Sequence, residues 1–384
     1  MNLTSKLEII ITPSAPRIHG LDTLRASAII LVYLTHYGFV VNHPVFDIGN
    51  IGVDLFFVLS GYLIGHQIFN DIAHKNNFLI KTFMIRRLFR TLPNYFAVLI
   101  LYVFIESFRE KPLLPPMWKL LTFTANFGLK TGVAFSNVWS LCIEEQFYLA
   151  LPLIAIFIYY KKSIKLSWSL IAFAVIGGIF LRAYIWINYI NGMAHNEDLF
   201  NYKNYYTYIY YFTFCRLDPI ICGVILAMIR NFHSHTWHKI TSKGNLSLIL
   251  GIISLTFACY IIMHDKNLGH NSFSATVIGF PVLGFSFGLL ILSALSPNSI
   301  LHKVKIWGAE RLATLSFAIY LLQKPLDHFT STVLSSHNIV NKDSPVMFLC
   351  TASITILGGW LLYSLVETPF MKLRDAFYKK PTYN

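Results

Sequence analysis

Charge is scarce in this chain. Asp, Glu, Lys and Arg make up 13% of its 384 residues, about half the roughly 25% of a soluble domain. That excludes an ordinary water-soluble fold. Acids are scarcer than bases, 18 against 31, leaving a formal net charge of +13. Cysteine is sparse as well. Cys142, Cys215, Cys222, Cys259 and Cys350 all fall in or beside apolar stretches, and none is spaced as CxxC. The odd number and the spacing predict buried thiols, with neither a disulfide framework nor a metal site. There is no internal repeat, low-complexity tract or Gly/Ser linker, so a single membrane domain over 1–384 is expected, with its core at about 18–370. The start of the chain lacks a signal-peptide pattern. Its short apolar patch at 7–11 is broken by Glu8 and followed by Pro13 and Pro16, so targeting is expected to rest on the first true span.

Apolar sequence is abundant instead. Hydrophobic residues make up 55% of the chain. Runs long enough to cross a bilayer occur at about 22–42, 51–70, 88–108, 138–160, 168–190, 213–230, 246–263, 274–296, 312–334 and 345–366. An eleventh candidate, 117–129, is short and polar. Loop charge decides whether it crosses. If it does not, one side of the membrane carries 20 Lys and Arg, including Arg17, Arg86, Arg87, Arg90, Lys161, Arg230, Lys239, Lys303 and Arg374. The other side carries seven: Arg109, Lys111, Lys119, Lys130, Lys203, Lys266 and Lys342. If it crosses, the bias largely vanishes. The positive-inside rule therefore predicts an all-α, polytopic membrane bundle of about ten helices with both termini cytoplasmic. The 109–137 segment becomes an external loop that dips back towards the membrane. The tyrosine-rich 191–212 segment is external too, its rings forming an interfacial belt or a sugar-stacking surface. Because the basic residues lie between apolar runs rather than on a solvated patch, no nucleic-acid partner is expected.

Polar residues inside the spans mark function by default. Arg25 and His36 share the first span. Their eleven-residue separation puts them on one helix face about 16 Å apart. Arg25 falls near the cytoplasmic end and His36 in the external half. Asp54, Glu144 and Glu145 are expected at the depth of His36, which suggests a base with an orienting acid or a structural polar network. Arg87 and Arg90, spaced i, i+3 at the cytoplasmic start of the third span, satisfy positive-inside topology and also suit an anion clamp. Arg216 has Asp218 or a carboxylate on another helix as its expected partner. Lys324, Asp327 and His328 are spaced for pairing within their own helix.

These segments together resemble the acyltransferase-3 family of integral membrane acyltransferases over nearly the full length. The first span reads IHGLDTLRASAIILVYLTH, with the arginine–ten residues–histidine pattern at Arg25 and His36. GVDLFFVLSGYLI carries Asp54, Ser60 and Gly61, and RRLFRTLP carries Arg87 and Arg90. NVWSLCIEEQFYL carries Trp139, Ser140 and Glu144; RLD stands at 216–218 and ETP at 367–369. One departure is YLLQKP, which has Gln323 and Lys324 where many members carry a histidine.

The resemblance implies an O-acyltransferase, in particular an O-acetyltransferase, of the bacterial inner membrane. It would move an acyl group from cytoplasmic acetyl-CoA, its only cofactor, to a hydroxyl of a surface carbohydrate such as lipopolysaccharide O-antigen. It further implies His36, Asp54 and Glu144 as the catalytic group. Arg25, Arg87 and Arg90 would hold the donor, and Trp139, Glu145 and Arg216 the acceptor. Partners are then acyl-CoA, a glycan and membrane lipid, with homo-oligomerisation left open. A fused SGNH hydrolase-like domain is not expected. The rival from another class is a proton-coupled transporter or flippase using the same buried His, Asp and Glu. It finds no support in inverted repeats or paired broken helices.

Overall fold

All ten apolar runs fold as helices. The computed structural model describes residues 17–36, 49–75, 80–161, 163–190, 203–266, 272–341 and 344–379. The tail before Arg17, the end of the first expected span and the 191–202 part of the tyrosine-rich segment lie outside them. The long helices are α1 (His19–His36), α2 (Ile51–Lys75), α3 (Ile80–Phe104), α4 (Val138–Lys161) and α5 (Ile164–Ile185). They continue with α6 (Leu217–Phe232), α7 (Gly244–Lys266), α8 (Phe273–Leu295), α9 (Ala309–Ser336) and α10 (Pro345–Leu362). No strand occurs among the described residues. Serine side chains cap several starts: Ser163, Ser272 and Ser344 accept from the backbone N–H of Leu166, Ala275 and Met347, and Pro345 occupies the first turn of α10.

Six of the ten (α2, α4, α5, α7, α8 and α10) are long and apolar enough to cross a membrane. The other four either carry charge or are short. Asp22 and Arg25 lie on α1, Arg86, Arg87 and Arg90 on α3, and Lys324 and Asp327 on α9, while α6 has only 16 residues. The 117–129 segment does not cross. It forms the five-residue helix Met117–Leu121 and a series of turns, with Leu120, Ala125 and Asn126 buried against the bundle. Tyr95 of α3 donates to the Leu120 carbonyl at 2.9 Å. The third helix begins eight residues before its expected start and closes where the Arg109 guanidinium donates to the carbonyls of Tyr102 (2.6 Å) and Val103 (2.7 Å).

The bundle has a centre and a shell. In α2, 72% of the crossing window is buried within the protein; in α7 it is 17%. α2 packs most extensively on α6, α7 on α8, and α9 on α10 and α1. In lipid, helices associate through close packing rather than through the hydrophobic effect, so small residues belong at the tightest contacts. A Cβ on Gly61 of α2 would lie 2.0 Å from the Ile220 carbonyl oxygen, and one on Gly223 of α6 would lie 2.1 Å from that of Val58. Both obstacles are backbone and cannot rotate away. Gly61→Ala is therefore expected to force α2 and α6 apart and to cost about 1–3 kcal/mol. Thermal unfolding in detergent tests this; an unchanged midpoint would mean that the contact yields.

Arg17 fixes the entry of α1 beside that of α9. Its Nε donates to Asp22 at 2.6 Å and its Nη2 to the Glu310 carbonyl at 3.0 Å. This end, where α1 and α9 begin, is the basic end of the bundle.

Candidate active site

Among the cavities of the described residues, two carry polar and charged side chains, one towards each end of the bundle. The cavity of about 330 Å³ on the basic side is lined by Arg25 of α1, Ser60 of α2, Arg87 and Arg90 of α3, and Ser140, Glu144 and Tyr148 of α4. Glu367, from the turn after α10, also lines it. The sequence brings three cations here because helix periodicity turns Arg87 and Arg90, one turn apart, to the same side, and Arg25 faces them from α1. Asp22 lies 3.5 Å from Arg25, and the Arg87 guanidinium sits over the Tyr148 ring, 4.1 Å from its centroid. Ser60 Oγ donates to Glu144 Oε1 at 2.9 Å and the Tyr148 hydroxyl to Oε2 at 3.1 Å. Asn94 donates to Glu367 at 2.6 Å. Arg87 Nε is buried with no hydrogen-bond partner among the described residues.

The second cavity, about 230 Å³, lies towards the other end. Thr35, His36, Asn137, Trp139, Tyr206, Tyr210, Tyr211 and Lys324 line it. Its histidine is held in one useful form. His36 Nδ1 lies 2.8 Å from the Val32 carbonyl oxygen. A carbonyl only accepts, so Nδ1 carries the hydrogen and Nε2 of the neutral ring is left with its lone pair. Lys324 donates to Ser136 Oγ at 2.9 Å.

Val53 and Tyr320 line both cavities and so form the wall between them. Tyr320 is pinned in place. Its hydroxyl donates to the Asn137 carbonyl at 2.8 Å and lies 2.6 Å from Ser140 Oγ, while Asn137 Nδ2 donates to the Tyr320 carbonyl at 2.9 Å.

The residues expected at the site divide. Arg25, Arg87 and Arg90 come together as expected, and Trp139 faces the cavity of His36. The catalytic trio is not assembled: Glu144 lines the basic cavity with its oxygens committed to Ser60 and Tyr148. Asp54 is 2% exposed and lies 3.0 Å from Arg216 of the residue pair at the start of α6. Neither carboxylate orients His36, whose Nδ1 is taken by its own helix. Arg216, expected to bind the acceptor, lines neither cavity. It is fully buried and boxed by aromatic rings, with Phe280 and Tyr210 centroids 3.9 and 4.7 Å away. Asp218 pairs instead with Arg182 of α5 at 2.5 Å. Glu145 lines neither cavity. Lys324 reaches across to Ser136 rather than along its own helix.

Tyr320 and Tyr148 line these cavities without having been singled out in the sequence, whereas Ser60 and Lys324 stood in its motifs with no role assigned. Tyr320 and Lys324 sit four residues apart within YLLQKP, one face of one helix, and that spacing was the available signal. The tyrosines at 206, 210 and 211 line the His36 cavity.

The comparisons bear on the same residues. A family model described as an acyltransferase domain matches residues 18–364. The chain is 26% identical to peptidoglycan O-acetyltransferase OatA of Listeria monocytogenes over 92% of this chain and 56% of that protein. It is 26% identical to O-acetyltransferase OatA of Staphylococcus aureus over 92% of this chain and 57% of that protein. A putative O-acetyltransferase of Staphylococcus aureus is 27% identical over the same shares. The chain thus spans a little over half the length of these relatives. No solved structure matches it. The match covers the wall between the cavities and, Glu367 apart, the residues that line them, and the chain belongs to the acyltransferase-3 family.

Proposed function

We propose that the protein is an O-acetyltransferase of the bacterial inner membrane. It takes an acetyl group from acetyl-CoA at the basic, cytoplasmic end and delivers it to a carbohydrate hydroxyl at the opposite end. The observation that carries this reading is the pair of cavities sharing one wall. One is lined by three arginines, the other by a histidine with a free Nε2. The names of the relatives support O-acetylation. The proposed acceptor is a surface glycan: lipopolysaccharide O-antigen, as the motifs suggest, or peptidoglycan, as the name of the Listeria relative suggests.

The basic cavity suits the donor in charge and size. Its volume accommodates an acetylated pantetheine arm and not the whole of CoA, so the nucleotide phosphates would stay at the arginine-lined mouth. Transfer forms a C–O bond and breaks the C–S bond of the thioester. His36 Nε2 takes the hydroxyl proton as the acceptor oxygen attacks. The sulfur leaves as thiolate and is protonated to CoA thiol on the basic side. Tyr320 and Val53 stand between donor and base, so the wall must shift for the acetyl carbon to reach the hydroxyl.

Arg87→Ala/Arg90→Ala is expected to weaken acetyl-CoA about 10- to 100-fold, the loss of one or two charge-assisted contacts. Binding of radiolabelled acetyl-CoA to the protein in proteoliposomes measures it. Unchanged affinity would remove the clamp, and with it the donor's entry through this cavity.

A further inference from the structure

Lys324 places a positive charge in a cavity to which the described residues supply no negative one. None of the residues lining the His36 cavity is an aspartate or glutamate. Among the described residues Lys324 forms no ion pair, and its hydrogen bond is to the neutral Ser136 hydroxyl. Glu110 acts on it from outside the cavity and Lys111 opposes that pull. The Glu110 oxygens already accept from the Tyr102 hydroxyl and the Phe135 N–H, each at 2.9 Å. An ammonium withdrawn from water without an ion-pair partner of its own is costly, and a bound anion would offset that cost.

A second group in the same cavity also awaits a partner. Asn137 is 3% exposed. Its Nδ2 is used on the Tyr320 carbonyl, and its Oδ1 is buried with nothing donating to it. Trp139, Tyr210 and Tyr211 provide aromatic faces beside these two groups. Such faces stack on the apolar side of a sugar ring. Cation, lone acceptor and aromatic wall together describe a sugar that carries both hydroxyls and a carboxylate.

We propose that the His36 cavity is built for an acidic sugar of the uronic-acid type. Lys324 pairs with the carboxylate, and Asn137 Oδ1 accepts from one ring hydroxyl. Another hydroxyl is thereby presented to His36. The inference rests on the reading of this cavity as the acceptor side and adds the acceptor's charge.

The test compares two soluble probes in proteoliposomes supplied with acetyl-CoA: p-nitrophenyl β-D-glucuronide and p-nitrophenyl β-D-glucoside, which differ in the carboxylate. The glucuronide is expected to be acetylated with a kcat/KM about tenfold higher, the value of one charge-assisted contact. Lys324→Gln is expected to bring the probes level by raising KM for the glucuronide, and Lys324→Arg to keep the preference. Equal use of the two by the unaltered protein overturns the proposal. So does a Lys324→Gln variant whose kcat falls alike on both probes and in acetyl-CoA hydrolysis, since the charge would then serve the reacting centre. So does failure to acetylate the glucuronide by protein that still hydrolyses acetyl-CoA. A protein that neither binds nor hydrolyses acetyl-CoA refutes the donor reading beneath it.

Discussion

His36→Ala is expected to lose acyl transfer by about 10²- to 10⁴-fold, the usual contribution of a positioned general base, while still folding and still binding acetyl-CoA. Folding should survive because the hydrogen bond of the ring is to the Val32 carbonyl of its own helix, so its removal separates no helices. Donor binding should survive because His36 lines the other cavity. The measurements are radiolabelled acetyl transfer to a glycan acceptor and, on the same preparation, acetyl-CoA binding. Transfer at the unaltered rate would end the base role. Loss of binding together with transfer would mean that the two cavities are not separate stations.

Asp54→Ala is expected to fail differently, through stability. It leaves the Arg216 guanidinium fully buried with its counter-charge gone, a loss of about 3–5 kcal/mol when one member of a buried pair is removed. Folded protein recovered in detergent should fall sharply, and its thermal midpoint with it. The double change Asp54→Leu/Arg216→Leu should recover much of the loss, since it removes both charges. That variant separates support from chemistry: if it is stable yet inactive, Asp54 acts on the reaction as well as on the fold. An Asp54→Ala protein as stable as the parent would mean that Arg216 has another partner.

The ten helices were legible because their signal, a long apolar run between basic loops, is local. The arginine-lined cavity was legible because Arg87 and Arg90 share a helix turn and Arg25 lies at a matching depth. The grouping of His36 with Asp54 and Glu144 failed because depth along a helix says nothing about direction around it. Neighbouring residues point about 100° apart, so Trp139 faces the upper cavity while Ser140 faces the lower. Glu144, four residues after Ser140, follows it. The partners of Arg216 and Asp218 were equally hidden. They depend on which helices touch, and that is set by the glycine contact between α2 and α6, for which spacing in the sequence gives no measure.

That pair of arginines has a consequence for biogenesis. α5 leaves the ribosome first, with Arg182 fully buried in its last turn, and the counter-charge of that arginine, Asp218, arrives 36 residues later. α6 brings Asp218 and, two residues before it, Arg216, whose own partner waits on α2. One short helix therefore neutralises two others as it settles, one made just before it and one made long before. Until α6 docks, α2 and α5 each hold an unpaired charge in lipid, a state that favours rapid closure and exposes any delayed chain to membrane quality control.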